Sequence, residues 1–265
     1  MDGLTTSLML SRKGDGIGWV TFNNPARHNA VSMEMWQAAE AILDDFAADP
    51  AVRVIVVQGA GGRAFVSGAD ISKFESERAS EAGVAAYQAQ TARVYEALAN
   101  CPKPTIAMIQ GYCIGGGTAL AVCCDMRICN DGASFGVPAA KLGLGYPLAG
   151  IRRLVDLVGP SFAKEIFFTA KKFPAEDARV MGLVNRVVPG DGLEAFVTDY
   201  ATTIAGNAPL TVGSVKAIVA EALKDRGAAD TARCDALVAE CFASTDYVEG
   251  RRAFMEKRPP QFQGR

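Results

Sequence analysis

The sequence predicts an α/β fold in which strand–strand–helix units repeat and a helical region follows. Continuous apolar runs rich in β-branched residues, VRVIVVQG (52–59) and KPTIAMIQG (103–111), are typical of strands buried on both faces. Segments with helical periodicity separate these runs, and from about residue 192 onward the pattern indicates helices only. We therefore expect a mixed core over residues 1–191 and a helical region over residues 192–265.

The individual elements follow in chain order. LML, a turn at KGDG (13–16) and GWVTF (18–22) predict a β-hairpin. Ser32 is expected to cap a helix, because Glu34 lies in its first turn, where an acid suits the positive helix end. The buried face of that helix is expected to contain Met35, Ala39, Ile42 and Phe46. Further predictions are a helix over about residues 80–100 and strands at DMRIC (125–129) and GLVNRVVP (182–189).

The composition excludes several classes of protein. The chain has 265 residues, of which 49% are hydrophobic and 21% charged, with a formal net charge of −2. A nucleic-acid-binding protein is not expected, because it would need a basic surplus. No apolar run reaches the ~18 residues that a membrane span needs, and the N-terminal stretch lacks the pattern of a secretory signal.

Cysteine usage bears on metals and on the cellular compartment. The chain has seven cysteines, none in a C-x-x-C pair, and His28 is its only histidine. A metal site is therefore not expected, since zinc sites need clustered thiolates and imidazoles. Thiols within apolar runs pack as small hydrophobic side chains and stay reduced. We therefore expect the protein in a reducing compartment, the cytoplasm.

A glycine turn in GYCIGGGTALAVCCD (111–125) joins a predicted strand to a predicted helix. Backbone N–H groups at such a helix start form an anion site. A nucleotide-binding P-loop would need a lysine after the glycines, and a dinucleotide-binding turn would need G-x-G-x-x-G; both are missing. A developing oxyanion or close helix–strand packing remains. A second glycine loop, AFVSGADISKF (64–74), offers another N–H group near Gly68 and Ala69.

Four motifs occur in one order: NPARHNAVS (24–32), RAFVSGADI (63–71), GYCIGGGTALAVCCD and FMEKRPPQF (254–262). From about Trp19 to Phe262 the chain thereby resembles the crotonase (enoyl-CoA hydratase/isomerase) superfamily. The resemblance implies the ClpP/crotonase spiral of ββα units, with a C-terminal helical region that forms homotrimers, usually paired into hexamers. It also implies an acyl-CoA thioester substrate, with CoA as part of the substrate and no separate cofactor.

The resemblance implies roles for individual residues. The backbone N–H groups of Ala69 and Gly116 would form the oxyanion hole. Phe254 and Lys257 would reach the CoA of a neighbouring subunit. Ala26 departs from the family pattern, in which this position often carries Lys or Arg. The remaining residues expected to line the substrate and CoA site are Arg27, His28, Ala30, Ser67, Asp70, Ile71, Gly115, Ala119, Pro138, Ala139 and Leu142. Asp70 is more simply explained as an anchor of its loop, and His28 as a residue that orders its loop or borders the CoA path.

Hydratases of this family carry two glutamates where this chain has Ala119 and Ala139. Methyl groups cannot supply the general acid and base that hydration needs, worth about 10²–10⁴-fold each. Loss of CO₂ from a malonyl-type thioester needs only an oxyanion hole and a proton donor. Tyr146 suits the role of donor, and its stretch resembles the corresponding one in methylmalonyl-CoA decarboxylase. The sequence thus predicts a lyase, with decarboxylation favoured.

The sequence is also compatible with another role for Tyr146 and with two other functions. Tyr146 is explained nearly as well as a wall residue with a hydrogen-bonded hydroxyl. An enoyl-CoA hydratase or isomerase that uses Glu75 or Glu77 is the alternative within the same class. A non-catalytic acyl-CoA-binding protein is the alternative from another class.

Overall fold

The structure is a computed structural model that describes residues 5–73, 79–225 and 227–265. The strands in these ranges are β1 Met9–Gly14, β2 Ile17–Phe22, β3 Val54–Gly59, β4 Ala64–Val66, β5 Thr105–Ile109, β6 Tyr112–Ile114, β7 Met126–Asn130, β8 Ser134–Gly136, β9 Phe173–Pro174 and β10 Arg186–Val188. The α-helices are α1 Met33–Ala48, α2 Glu81–Ala99, α3 Gly116–Ala121, α4 Ala139–Leu142, α5 Leu148–Thr169, α6 Ala175–Val180, α7 Leu193–Gly206, α8 Pro209–Ala222, α9 Thr231–Ala243 and α10 Thr245–Glu256.

The strands form two sheets, with the order β1-β2-β3-β5-β7-β10 in the larger and β4-β6-β8-β9 in the smaller. Three times in succession the chain adds a strand to the larger sheet, then one to the smaller, and then forms a helix. These units are β3-β4-α2, β5-β6-α3 and β7-β8-α4. The neighbouring strands of successive units are parallel. The predicted repetition of strand–strand–helix units is confirmed.

The hairpin and the first helix form for the reasons that the sequence predicts. β1 and β2 are antiparallel, and Gly14 pairs with Ile17, so Asp15 and Gly16 make the turn. Both turn residues have positive φ, 53° and 79°, which Asp and Gly tolerate in two-residue turns. The Ser32 side chain accepts a hydrogen bond from the backbone N–H of Met35 at 3.4 Å, which confirms the predicted cap of α1.

Each face of the larger sheet is covered by helices. One face carries the main core, which includes the buried side of α1 with the four residues predicted for it. The other face packs Trp19, Val54 and Val56 against Leu193 and Val197 of α7. The first helix of the predicted C-terminal region therefore shares a core with the sheet, and the boundary between residues 191 and 192 stays a prediction.

The short strands of the smaller sheet were not predicted. β4, β6 and β8 have three residues each and lie within segments that read as glycine loops. Three residues are too few to display the alternation that marks a strand. These strands nevertheless position the two glycine loops, because β4 and β6 pair directly in parallel.

The part of the chain that the structure describes contains neither a membrane-spanning helix nor a cluster of metal ligands. Its helices include none with the length and apolar character of a bilayer-spanning segment. Its His, Cys, Asp and Glu side chains form no group of three or more that would hold a metal ion.

Candidate active site

The three consecutive glycines of the turn, Gly115, Gly116 and Gly117, have different structural roles. Gly115 precedes α3 with φ 58° and ψ −113°, a conformation that side chains rarely adopt. A Cβ on Gly117 would lie 1.9 Å from the carbonyl oxygen of Val66, so only glycine allows α3 to approach β4 this closely. The packing explanation therefore applies to Gly117. It leaves the backbone N–H of Gly116 available at the start of the helix.

The hydrogen bonds that hold the Ala69 loop to Val31 do not use the backbone N–H of Ala69. The N–H of Val31 donates to the Gly68 carbonyl at 2.9 Å, and the N–H of Asp70 donates to the Val31 carbonyl at 3.0 Å. This is a parallel bridge between Val31 and Ala69, in which the N–H of Ala69 points away from Val31. Among the backbone hydrogen bonds of loops and helix ends in the described ranges, none uses the N–H of Ala69 or Gly116.

The two loops that carry these amides are in contact. A Cβ on Gly68 would lie 3.7 Å from the backbone nitrogen of Gly116, and a Cβ on Gly116 would lie 3.5 Å from Cα of Gly68. Adjacent backbone segments thus present two N–H groups that find no hydrogen-bond partner within the described ranges. Such an arrangement suits a carbonyl oxygen that gains negative charge, because the donors are fixed before the charge appears.

Tyr95 on α2 is a site residue that sequence reasoning missed. Its hydroxyl donates to the carbonyl oxygen of Gly116 at 3.2 Å, and its ring meets the edge of Trp36 at a centroid distance of 5.6 Å. Burial raises the pKa of the Tyr95 hydroxyl well above its usual value, so it remains a neutral donor. On sequence alone, an aromatic residue between the apolar Val94 and Leu98 is indistinguishable from an ordinary core residue.

Tyr146 lies between α4 and α5 and packs against the main core, as Tyr95 does. Its half-buried ring packs edge-on against Phe167 at a centroid distance of 4.9 Å. Burial, with a smaller contribution from Cys123, raises the pKa of the Tyr146 hydroxyl to about 12. Tyr146 is also a cause, after burial, of the raised pKa of the Tyr95 hydroxyl. Tyr146 is therefore protonated at neutral pH and can donate a proton or a hydrogen bond.

The two alanines at the family's glutamate positions are both buried. Ala119 is on α3 and is 9% exposed, and Ala139 begins α4 and is 6% exposed. Pro138 precedes α4 beside the glycine turn, where a Cβ on Gly115 would lie 3.9 Å from its Cδ. Leu142 ends the same short helix and is 59% exposed. Glu75 and Glu77, the carboxylates named as alternatives, lie outside the described residues.

Asp70 anchors the loop that carries Ala69, as the simpler sequence interpretation held. Its carboxylate accepts hydrogen bonds from the Ser72 hydroxyl at 2.7 Å and from the Arg27 guanidinium at 3.1 Å. Burial would raise the pKa of Asp70, but the Ser72 hydrogen bonds and the Arg27 charge outweigh it and hold the pKa below its usual range. Arg27 thereby joins the loop of residues 24–31 to the loop of Ala69.

The remaining residues of the 24–31 segment surround a buried asparagine. Asn29 is fully buried, and its side-chain amide donates to the carbonyl oxygens of Ala60 at 2.9 Å and Ala64 at 2.7 Å. The sequence analysis did not single out Asn29. The described residues provide no hydrogen-bond partner for the buried Nδ1 atom of His28, and its ring packs edge-on against Tyr112 at a centroid distance of 5.9 Å.

Four other residues predicted for this region lie in the two loops of residues 24–31 and 67–73. Ala26 is exposed within the 3₁₀ turn Pro25–Arg27, and the half-buried Ala30 accepts a hydrogen bond from Asn24 at 3.0 Å. The Ser67 hydroxyl lies 3.5 Å from the Arg27 carbonyl oxygen that it donates to. Ile71 begins the 3₁₀ turn Ile71–Lys73 that follows Ala69. Their contact with CoA stays a prediction.

The last two predicted residues lie at the end of α10. Phe254 is 83% exposed, and Lys257 ends the helix with φ 53°. Both are on the surface of the subunit, away from its own core. Their role at the CoA of a neighbouring subunit stays a prediction.

The chain is similar in sequence and in structure to known proteins. Residues 12–265 match the family model of enoyl-CoA hydratase/isomerase. The chain is 35% identical over 259 residues to a crotonyl-CoA hydratase of Syntrophomonas wolfei, covering 96% of this chain and 97% of the relative. It is 32% identical over 253 residues to a short-chain-enoyl-CoA hydratase of Clostridium acetobutylicum, covering 95% of each. The crystal structure of an enoyl-CoA hydratase/carnithine racemase from Magnetospirillum magneticum superposes with a TM-score of 0.91 at 33% identity, covering 98% of this chain and 97% of that one.

Proposed function

Because the chain belongs to the enoyl-CoA hydratase/isomerase family, the crotonase superfamily, we propose that it binds an acyl-CoA thioester. The N–H groups of Ala69 and Gly116 would hold the carbonyl oxygen of that thioester between them. The observation that carries the proposal is that neither N–H group has a hydrogen-bond partner among the described residues, while the loops that carry them touch. Charge that develops on the thioester oxygen as an enolate forms would be stabilised there. Removal of one such donor typically costs about 10²–10³-fold in rate.

For the reaction itself, the relatives favour enoyl-CoA hydration or isomerisation, since two of those compared above are named enoyl-CoA or crotonyl-CoA hydratases. This is the alternative of the sequence analysis, and we place it ahead of decarboxylation. Tyr146, protonated at neutral pH, can serve as the acid that delivers a proton. A base must then come from elsewhere than Ala119 and Ala139, and Glu75 and Glu77 are the candidates.

Decarboxylation of a malonyl-type thioester is the second candidate. It is favoured by one specific observation, the buried methyl groups of Ala119 and Ala139 where hydratases carry acids. Departure of CO₂ leaves its electron pair on the α-carbon as an enolate, so no base is needed to begin. Tyr146 would then protonate the α-carbon.

A product screen separates these reactions. Purified protein is incubated with crotonyl-CoA and with methylmalonyl-CoA, and hydration, double-bond migration and CO₂ release are followed. Hydration or isomerisation that disappears in Glu75→Gln or Glu77→Gln supports the leading reaction. CO₂ release that disappears in Tyr146→Phe supports the second. Tight acyl-CoA binding without turnover of any thioester would instead indicate a non-catalytic binding protein.

We further propose that the protein self-associates as a homotrimer or as a hexamer of paired trimers. Large apolar side chains are exposed on α8, on α9 and around α10, where a subunit interface would cover them: Val215, Val219, Leu223, Phe242, Val248, Phe254 and Met255. Light scattering coupled to gel filtration measures the assembly directly. A monomer at micromolar concentration would contradict the proposal and would remove the role given to Phe254 and Lys257.

The free cysteines support a reducing, cytoplasmic location.

A further inference from the structure

The two N–H groups assigned to the thioester oxygen belong to segments that are far apart along the chain. Ala69 lies in the loop after β4, and Gly116 begins α3. The distance between the two donors is therefore set by packing between these segments and not by the covalent chain. A single oxygen can use both donors only if each lies about 2.7–3.1 Å from it. The residues that hold the two segments relative to each other are thus part of how the site works.

Tyr87 of α2 is connected to the segment that carries Ala69. The buried Tyr87 hydroxyl accepts a hydrogen bond from the Trp36 indole N–H at 2.8 Å and donates to the carbonyl oxygen of Val31 at 3.4 Å. This direction is fixed, because an indole N–H can only donate. The same Val31 oxygen accepts the N–H of Asp70, the residue after Ala69, at 3.0 Å. Tyr87 therefore holds the backbone segment with which Ala69 forms its bridge.

Tyr95 of the same helix is connected to Gly116. Its hydroxyl donates to the Gly116 carbonyl oxygen at 3.2 Å, and its ring packs edge-on against the Trp36 indole at a centroid distance of 5.6 Å. Tyr87 and Tyr95 are eight residues apart, which is about 12 Å along a helix. Helix α2 thus spans the distance between the two segments, and the Trp36 side chain contacts both of its tyrosines.

Trp36 is itself held from several sides. It lies on α1, is 1% exposed, and its ring packs edge-on against Phe22 of β2 at a centroid distance of 6.0 Å. One turn further along α1, the Glu40 carboxylate accepts hydrogen bonds from Gln90 at 2.6 Å and from Arg93 at 2.9 Å. Gln90 and Arg93 lie on α2 between the two tyrosines. The larger sheet, α1 and α2 therefore enclose the indole, and a close-packed side chain of this kind transmits a change in its shape to its neighbours.

We propose that Trp36 is a positioning residue of the candidate site, whose indole sets the separation between the N–H groups of Ala69 and Gly116. Its hydrogen bond to Tyr87 acts on the side of Ala69, and its ring contact with Tyr95 acts on the side of Gly116. Trp36 acts through these tyrosines and not on the substrate. The inference rests on the proposed oxyanion hole, and it extends that site to α1.

The carbonyl stretching frequency of bound butyryl-CoA tests the proposal without turnover. Butyryl-CoA labelled with ¹³C at the thioester carbonyl is saturated, and its stretch is read by isotope-edited infrared spectroscopy. In the wild type the stretch is expected below that of free butyryl-CoA, because two fixed donors polarise the carbonyl more strongly than water does. Trp36→Phe and Tyr87→Phe should each move the stretch back toward the free value. Butyryl-CoA affinity measured by calorimetry should stay within about threefold, since the contacts of CoA are unchanged.

Trp19→Phe is the matched control. Trp19 is the other tryptophan of the chain, is 5% exposed and packs on the opposite face of the larger sheet, so its loss should lower stability without moving the stretch. An equal displacement of the stretch in Trp19→Phe and Trp36→Phe would overturn the inference, because any loss of core packing would then produce it.

The wild-type stretch retained in full by Trp36→Phe would overturn the inference alone, whatever Tyr87→Phe shows. If Trp36→Phe does not fold, full retention in Tyr87→Phe overturns it in the same way. Failure of the wild type to bind butyryl-CoA, or a bound stretch no lower than the free one, would overturn the proposed oxyanion hole together with it.

Discussion

The Tyr95 hydroxyl donates a hydrogen bond to the carbonyl oxygen of Gly116 at 3.2 Å, and this contact joins α2 to the first residue of α3. The same residue presents the N–H group that we assign to the oxyanion hole. A contact to the carbonyl of Gly116 therefore restrains the residue whose amide is to bind the thioester, although Tyr95 itself donates to the protein and not to the substrate.

Tyr95→Phe is expected to lower both stability and turnover. The loss of one partly buried hydrogen bond should reduce the free energy of unfolding by about 1 kcal/mol. If the contact restrains Gly116, kcat should fall several-fold while KM changes little, which a purely structural role would not produce. Thermal melting and steady-state kinetics measure the two effects. Tyr247→Phe, at a residue 41% exposed on α10, is the control and should change neither.

Tyr146→Phe is expected to remove most activity and little stability. The ring contact with Phe167 is preserved, so the free energy of unfolding should change by less than about 1 kcal/mol. Loss of the proton donor should lower kcat by about 10²-fold or more. Because the hydroxyl pKa is raised to about 12, activity that depends on the protonated form should not decline from pH 7 to about pH 10. Tyr200→Phe, at a ring stacked on Phe196, is the matched control. Full activity in Tyr146→Phe would leave Tyr146 as a wall residue.

Gly117→Ala is expected to prevent α3 from packing on β4. The new methyl group would lie 1.9 Å from the Val66 carbonyl oxygen, a backbone atom that cannot move aside alone. Overpacking of this kind costs about 1–3 kcal/mol where side chains adjust, and more where backbone must shift. Chemical denaturation should show a large loss or no folded protein. In Gly206→Ala the added Cβ meets nothing within 4 Å, and that variant should be as stable as the wild type. A fully stable Gly117→Ala would show that the turn is looser than described.

Stability is expected to fall as pH rises from about 9 toward 12. Burial raises the pKa of the Cys129 thiol from the ordinary 9.0 to about 12. Between these values the unfolded chain loses the thiol proton first, so it binds fewer protons than the folded chain and the free energy of unfolding decreases with pH. Below pH 9 this contribution is fully present. Cys129→Ala should show a shallower decrease in denaturation series at pH 7, 9 and 10. Cys234→Ala, at a half-exposed residue, should keep the wild-type slope.

The larger sheet was predictable from the sequence because its strands are long and apolar. Val54–Gly59 and Thr105–Ile109 fall within the two runs that were recognised first. Helix α1 was predictable because its cap and its buried face are local features of the chain. The smaller sheet was not, since Tyr112–Ile114 and its neighbours are defined by pairing between distant segments.

The candidate site, like the fold, could be predicted from the sequence only in part. The glycine turn and the Ala69 loop were found from their motifs, and the structure brings Gly68 and Gly116 together. Tyr95 was missed because its importance lies in its contact with Gly116, which the spacing of residues along α2 does not reveal. The reaction also could not be read from Ala119 and Ala139 alone, since the relatives named as hydratases favour the alternative chemistry.

The pairing of β4 with β6 has a consequence for how such a chain can diverge during evolution. The two donors assigned to the reaction belong to the main chain, and sheet pairing places the loops that carry them. Most point mutations leave a peptide N–H in place, so the side chains around it can vary while the two donors remain. Substitutions at positions such as Ala119 and Ala139 can then change the reaction while the same pair of main-chain donors is kept.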